Sequence, residues 1–453
     1  MKKTFIIFCL ALCLLLMFSS SLSILESLSV AVVVYAFLEF LHDLGKRIVI
    51  MDISILALFL TCILMPVIFY HVYTRENHLA RLWVKYMPVE SDDYFSFALP
   101  AVFAMAWALR IRIKKLRFRK TPLVYLENVK RSLSKKPTIG ISLIGIGLVS
   151  GLLDFLAPDS LKQIFYLADH LTYVGVFYII YSPFQYKRII VPGVIALMLG
   201  QSVVTGMFGE MIYILACSLT LILLGSKISF YAKLTFAVLG IFMILVLQSI
   251  KMEYRHQNWE LGKGADPVYF AALIASRVTD VSSLMDPDNM FFTAVRMNQG
   301  WLVAVTMKRV PARFPFGYGE TIWKSVASSF IPRFIWPDKP KAGGKENLLR
   351  YWGFIIVGYS MNIGTLGEAY ANFGKFGGVA YMFAYGFFFN FFLSSILKLA
   401  EKRPTIILWL PFLFFYSISV ETDLFTTMGA LVKSMIFTWI IFKFYEIAFH
   451  IEL

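Results

Sequence analysis

The sequence predicts an all-α fold: a polytopic helical membrane protein of about twelve transmembrane helices, with one large external loop between the ninth and tenth. Three observations carry that expectation. Of 453 residues, 58% are hydrophobic and only 16% charged, against roughly 45–50% and 25% in soluble domains. The apolar residues fall in runs of roughly 17–25, long enough to cross ~30 Å of hydrocarbon as a helix. The short breaks between these runs are basic on alternate sides. No stretch is left for a water-soluble catalytic domain of roughly 100–200 residues.

In chain order the spans lie at about 4–22, 25–41, 49–72, 94–110, 138–156, 162–182, 188–205, 208–225, 230–250, 373–397, 405–420 and 424–446. The opening MKKTFIIFCLALCLLLMFSSSLS has the layout of a signal peptide, a reading in which residues 1–23 would be removed. A retained first helix is the expectation, because a second apolar run follows at once, as in a helical hairpin. The stretch 110–136 carries eleven Lys/Arg against one Glu. It reads as a cytoplasmic topology signal against anionic headgroups, not as a nucleic-acid arm. Alternation then puts the N-terminus, Lys46-Arg47, Lys187-Arg188, 227–233, 398–403 and the C-terminus in the cytoplasm. The chain divides into a nine-helix bundle (1–250), an external loop (251–372) and a three-helix closing segment (373–453).

Cys9, Cys13, Cys62 and Cys217 sit inside apolar runs and read as core. No internal repeat or matched pair of broken helices is visible, which argues against a secondary transporter. The loop is different. It holds fourteen Lys/Arg against ten Asp/Glu and five of the nine tryptophans. Guanidiniums grip phosphate bidentately, and amphipathic rings stack on apolar faces such as those of sugars. Segments 299–307 and 353–366 are too short to cross and read as interfacial or re-entrant. Prolines 311, 315, 332, 337 and 340 stiffen what lies between. Asp286-Pro287-Asp288 is formally a DxD, but Pro287 suggests a turn, and no metal or other cofactor is expected. Glu421 and Asp423 lie at another external helix end. Asp169 and His170, inside span six, are ionisable groups at membrane depth.

Two patterns stand out: Pro332-Arg333-Phe334-Ile335-Trp336-Pro337-Asp338-Lys339-Pro340, and Gly367-Glu368-Ala369-Tyr370-Ala371-Asn372-Phe373-Gly374. Glu368, at the mouth of span ten, can be a general base or can cap a helix start. Both patterns resemble those of Wzy-type polymerases, the oligosaccharide repeat-unit polymerases of O-antigen and capsule assembly. The motifs cover about 331–378, and the hydropathy layout is similar along the whole chain.

The resemblance implies a glycosyltransferase C-like architecture in the cytoplasmic (inner) membrane. It implies an inverting, metal-independent glycosyl transfer between undecaprenyl-diphosphate-linked oligosaccharides. Membrane lipid, a chain-length regulator and a flippase of the same pathway are the implied partners, with no nucleic acid. Glu368 is the first candidate base and Asp338 the second. Arg333, Lys339, Arg296 and Arg255 are candidate diphosphate ligands, with Trp336, Tyr370 and Asn372 on the sugar. In one departure, relatives carry an arginine after a glycine at an external helix end in mid-chain. Here Thr205-Gly206-Met207-Phe208 has none, so that lipid-phosphate contact falls to the loop. An O-antigen ligase shares this architecture and donor, and a lipid-linked oligosaccharide flippase is the alternative of another class.

Overall fold

The computed structural model describes residues 1–113, 122–206, 208–261, 264, 266–331, 333, 335–340, 343–355 and 361–453. All regular structure among them is helical. Among the described residues, nine helices are long and apolar enough to cross a membrane: α1 (Lys2–Ser19), α2 (Ile24–Asp43), α3 (Ile50–His71), α6 (Ile139–Leu156), α7 (Leu161–Tyr181), α8 (Lys187–Thr205), α10 (Phe230–Asn258), α16 (Gly364–Leu399) and α18 (Leu424–Phe449). The remaining three predicted spans are helical too, but shorter or more polar: α4 (Ser91–Ala108), α9 (Phe208–Ile222) and α17 (Pro404–Ile418). Between α4 and α6 lies the amphipathic α5 (Pro122–Leu133). The chain is thus a polytopic helical membrane protein.

The large loop between α10 and α16 is built of short helices: α11 (Pro267–Thr279), α12 (Pro287–Met297), α13 (Gln299–Arg309), α14 (Glu320–Phe330) and α15 (Lys345–Trp352). Its limits differ from the sequence reading. The helix of span nine runs past residue 250 to Arg255, and that of span ten begins at Gly364. Hydropathy ends where the bilayer would, but the backbone ladder continues as long as neighbours pack on it. Segment 299–307 belongs to α13, which buries Leu302, Val303, Ala304 and Met307 in the main core. It is a core helix rather than an interfacial one, because its apolar side chains face α16. In segment 353–366, residues 356–360 lie outside the described residues.

Helix α16 packs along α4 with backbone close to backbone. A Cβ at Gly386 would stand 2.6 Å from the Met105 carbonyl oxygen, and one at Gly378 would stand 2.8 Å from the Phe97 ring. Small residues let membrane helices approach this closely. Asn390 of α16 then donates to the carbonyls of Ala108 and Ile111, both at 2.8 Å, as α4 ends. Asn390→Leu strands two buried acceptors at roughly 1–3 kcal/mol each. It is expected to lower the melting temperature of the detergent-solubilised protein.

Contacts gather the basic loops at one end of the bundle. The Gly45 carbonyl accepts from Gly225 N–H at 2.8 Å, and Lys233 Nζ donates to the Leu44 carbonyl. Arg110 pairs with Glu39 at 2.8 Å and Arg403 with Glu446 at 3.3 Å. At the opposite end, Tyr73 donates to the Pro287 carbonyl at 2.9 Å, and Trp301 Nε1 donates to Tyr86 at 3.1 Å. There the connection between α3 and α4 meets the large loop. The described part of segment 110–136 joins the basic end; residues 114–121 lie outside the described residues.

Candidate functional site

Helix α16 changes character at Gly374. Its φ of 65° and ψ of −161° lie in a region open to glycine. They divide the helix into an outer segment, 364–373, and a long inner one. The break takes the carbonyls of Ala371 and Asn372 out of the helical ladder, and the loop uses them: Gly317 and Tyr318 donate their N–H groups there, each at 3.0 Å. Asn372 completes the bracket. Its Nδ2 donates to Thr321 Oγ1 at 2.8 Å and to the Glu368 carbonyl at 2.9 Å, and its Oδ1 accepts from Gly319 N–H at 3.0 Å. Tyr370 packs edge-on against Phe97, 5.2 Å between ring centroids. Asn372 and Tyr370, expected on the sugar, therefore fasten the loop to the bundle, because the broken helix needs partners on that side.

All residues from Gly364 to Asn372 are buried, Glu368 completely. Glu368 Oε2 accepts from the backbone N–H of Leu424 at 3.0 Å. Leu424 opens α18, whose N-cap Asp423 accepts from Thr426 N–H at 2.8 Å. Two carboxylates thus share the positive end of one helix. Glu368 Oε1 closes no hydrogen bond, although Thr321 and Asn347 stand beside this carboxylate. Buried oxygens without a donor are uncommon and costly; Glu368 itself lies behind the lining of the adjacent cleft and not in it. Thr321, Asn347 and Asp423 line a cleft of about 170 Å³, together with Lys324 and Arg350. Both of those cations hold Glu320, Arg350 at 2.7 Å and Lys324 at 2.6 Å. Their hydrogen bonds, Arg350's first, pull the Glu320 carboxyl down to about 2.

Two groups of cations lie near α18, the first facing Glu421 of the α17–α18 turn and the second around Lys433 within the helix. Lys251, buried on α10, lies in electrostatic contact with Arg296, Arg255 and Glu421. Arg255 also donates Nε to the Gly206 carbonyl at 2.9 Å. The helix end that lacks an arginine of its own in the sequence thus receives one from α10. In the second group, Lys433 of α18 donates to Gln163 at 3.4 Å and lies in electrostatic contact with Lys339 and Arg333. Lys339 is partly committed. Its Nζ donates to the carbonyls of Ser328 at 2.8 Å and Ile331 at 3.1 Å, closing the end of α14. Burial, and then the Arg333 charge, push its ammonium below the ordinary value. Arg333 faces the carbonyls of Pro337, Lys339 and Pro340, each at the 3.5 Å limit of a hydrogen bond.

Asp338 is exposed on the turn that these cations close, and Trp336 is half-buried; neither lines the cleft. Pro332 and Phe334 of the motif lie outside the described residues. Trp352 is a core residue, bonded through Nε1 to Thr306 Oγ1 at 3.0 Å. Asp286 of the DxD caps α12, accepting from Asp288 N–H at 3.0 Å. Among the described residues, no group of three or more His, Cys, Asp or Glu is placed to hold a metal ion. His170 Nδ1 donates to the Tyr166 carbonyl, 2.8 Å away, among the rings of Tyr173, Phe412 and Phe415.

Lys251, Lys433, Thr321 and Asn347 were not singled out from the sequence. Lys433 had a signal, a charge inside an apolar span. Lys251 stood one residue beyond span nine, and the two polar residues had no signal of their own.

Residues 125–402, more than half of the chain, match the family described as "Domain of unknown function (DUF8712)". No curated protein and no solved structure matches.

Proposed function

The chain belongs to the DUF8712 family, and from that premise we propose that it is an oligosaccharide repeat-unit polymerase. In this reading it joins undecaprenyl-diphosphate-linked repeat units into a polysaccharide at the outer face of the cytoplasmic membrane. The observation that carries the reading is a buried carboxylate, Glu368, seated on the N-terminus of α18 at the end of the bundle away from the basic loops. One cation group faces Glu421 of the adjoining α17–α18 turn, and a second surrounds Lys433 farther along α18. By the positive-inside rule that end faces outward, where lipid-linked glycans are polymerised. The two pattern segments carrying the Wzy-type resemblance both contribute to it, through Glu368 and through Arg333 and Lys339.

In the reaction, a sugar hydroxyl of one lipid-linked unit attacks the anomeric carbon of the other. A glycosidic C–O bond forms, and the bond from that carbon to the diphosphate oxygen breaks, with inversion. The hydroxyl proton passes to Glu368. The hydrogen bond from Leu424 N–H at the start of α18 holds the carboxylate in one orientation. The lipid diphosphate leaves with its charge met by guanidinium and ammonium groups. Lys251, Arg255 and Arg296 form the more buried set; Arg333, Lys339 and Lys433 form the more open one. Holding two lipid-linked partners in register supplies much of the acceleration.

Deleting the gene in its native host tests the reading. The expected surface glycan is a single repeat unit in place of a ladder on a gel, with the ladder restored by the wild-type gene. Unattached long polymer would assign the chain to the ligases instead. An unchanged ladder would remove it from this pathway.

A further inference from the structure

At the basic end of the bundle, a cavity of about 820 Å³ opens between α1, α2, α4 and α16. We propose that it binds the phosphate headgroup of an anionic glycerophospholipid from the leaflet on that side. The inference is independent of the reaction proposed above.

The cavity wall is made in two parts. One is a closed ion network. Lys2 pairs with Glu39 at 3.0 Å and with Asp43 at 3.1 Å. Arg47 pairs with Asp43 at 2.9 Å and takes both oxygens of Asp52, at 2.9 and 2.7 Å. Arg110 meets Glu39 at 2.8 Å and Asp52 at 3.4 Å. Three acids are thus matched by three cations, and the network is rigid and near neutral.

Two further lining cations, Lys46 and Arg112, stand outside it. Both are exposed. Lys46 touches only the His42 ring, 2.8 Å from Nζ to Nε2, and Arg112 has no side-chain partner among the described residues. The lining therefore carries a surplus of positive charge at a helix-end boundary, where headgroup phosphates lie.

The second part of the wall separates a lipid from a soluble phosphate. Ile111 and Ile113 on one side, with Leu393 and Leu397 of α16 on the other, line the same cavity. A phosphate alone has no use for that surface. A phospholipid lays its glycerol and first methylenes on it while its phosphate reaches Arg112 and Lys46. Basic pockets between transmembrane helices bind anionic headgroups in this way.

The test is native mass spectrometry on the full-length protein in mild detergent, titrated with phosphatidylglycerol or phosphatidylcholine. The expected result is selective retention of phosphatidylglycerol. Lys46→Gln with Arg112→Gln should weaken that retention roughly thirtyfold, at about fivefold per cation at a membrane surface, and leave phosphatidylcholine unchanged. Both side chains are exposed and outside the ion network, so the variant keeps its fold, and the charge-keeping Lys46→Arg, Arg112→Lys pair should retain the lipid. Equal retention of the two lipids by wild type overturns the proposal. So does unchanged phosphatidylglycerol retention by the double variant. Displacement of the lipid by millimolar inorganic phosphate would assign the pocket to a soluble anion and overturn the lipid reading.

Discussion

Glu368→Gln is expected to abolish the polysaccharide ladder, with a loss of polymerisation of roughly 10²–10⁴-fold, while the protein reaches the membrane at its normal level. The substitution is chosen for what it keeps. A glutamine carbonyl still accepts from Leu424 N–H, now 3.0 Å from Glu368 Oε2, so the start of α18 stays capped. What disappears is a group able to take a proton. If the ladder survives, Glu368 is a capping residue and the base lies elsewhere, with Asp423 of the cleft lining next in line. Glu368→Ala is a poorer probe. It also strands a buried N–H, at roughly 1–3 kcal/mol, and confuses loss of chemistry with loss of structure.

Lys251→Met is expected to reduce polymerisation by roughly 10²–10³-fold, the cost of losing one fixed charge from a developing anion. The same change should leave the melting temperature unchanged or raise it. Lys251 is buried beside two guanidiniums, with Glu421 the opposing charge, so removing its charge relieves repulsion and desolvation together. Activity and stability thus move apart, which a purely structural lysine would not allow. The measurement is kcat/KM on purified lipid-linked repeat units, beside a thermal melt of the same preparation. Unchanged kcat/KM would remove this cluster from the diphosphate site. Arg255→Ala is less clean, because Arg255 also holds the Gly206 carbonyl.

Much of this arrangement is legible in the sequence. Apolar run length finds a helix at each of the twelve expected spans, nine of them long and apolar enough to cross among the described residues, because hydrocarbon thickness leaves helices little freedom. The basic loops share one end, as their alternation requires. The two motif segments both reach α14, Asn372 at Thr321 and Lys339 at Ser328. Their individual roles were not legible. Asn372 and Lys339 turn out to satisfy backbone carbonyls and amides, a need that arises only where a helix breaks or ends. Lys251 and Glu421, or Gln163 and Lys433, are brought together by helix packing across more than 150 residues of chain. No local spacing encodes such a pairing. The ion network of Glu39, Asp43, Asp52 and Arg110 was hidden for the same reason, each member reading singly as a span-end charge.

The interruption at Gly374 also sets a height. Residues 375–399 of α16 continue unbroken below it, rising about 37 Å at 1.5 Å per residue. That length more than fills a hydrocarbon layer of ~30 Å. Glu368, one and a half turns beyond the break, is buried outside that hydrocarbon-length segment. Under the proposed function, a lipid-linked unit admitted to this carboxylate would keep its tail in the bilayer, and the search for its partner would be confined to two dimensions.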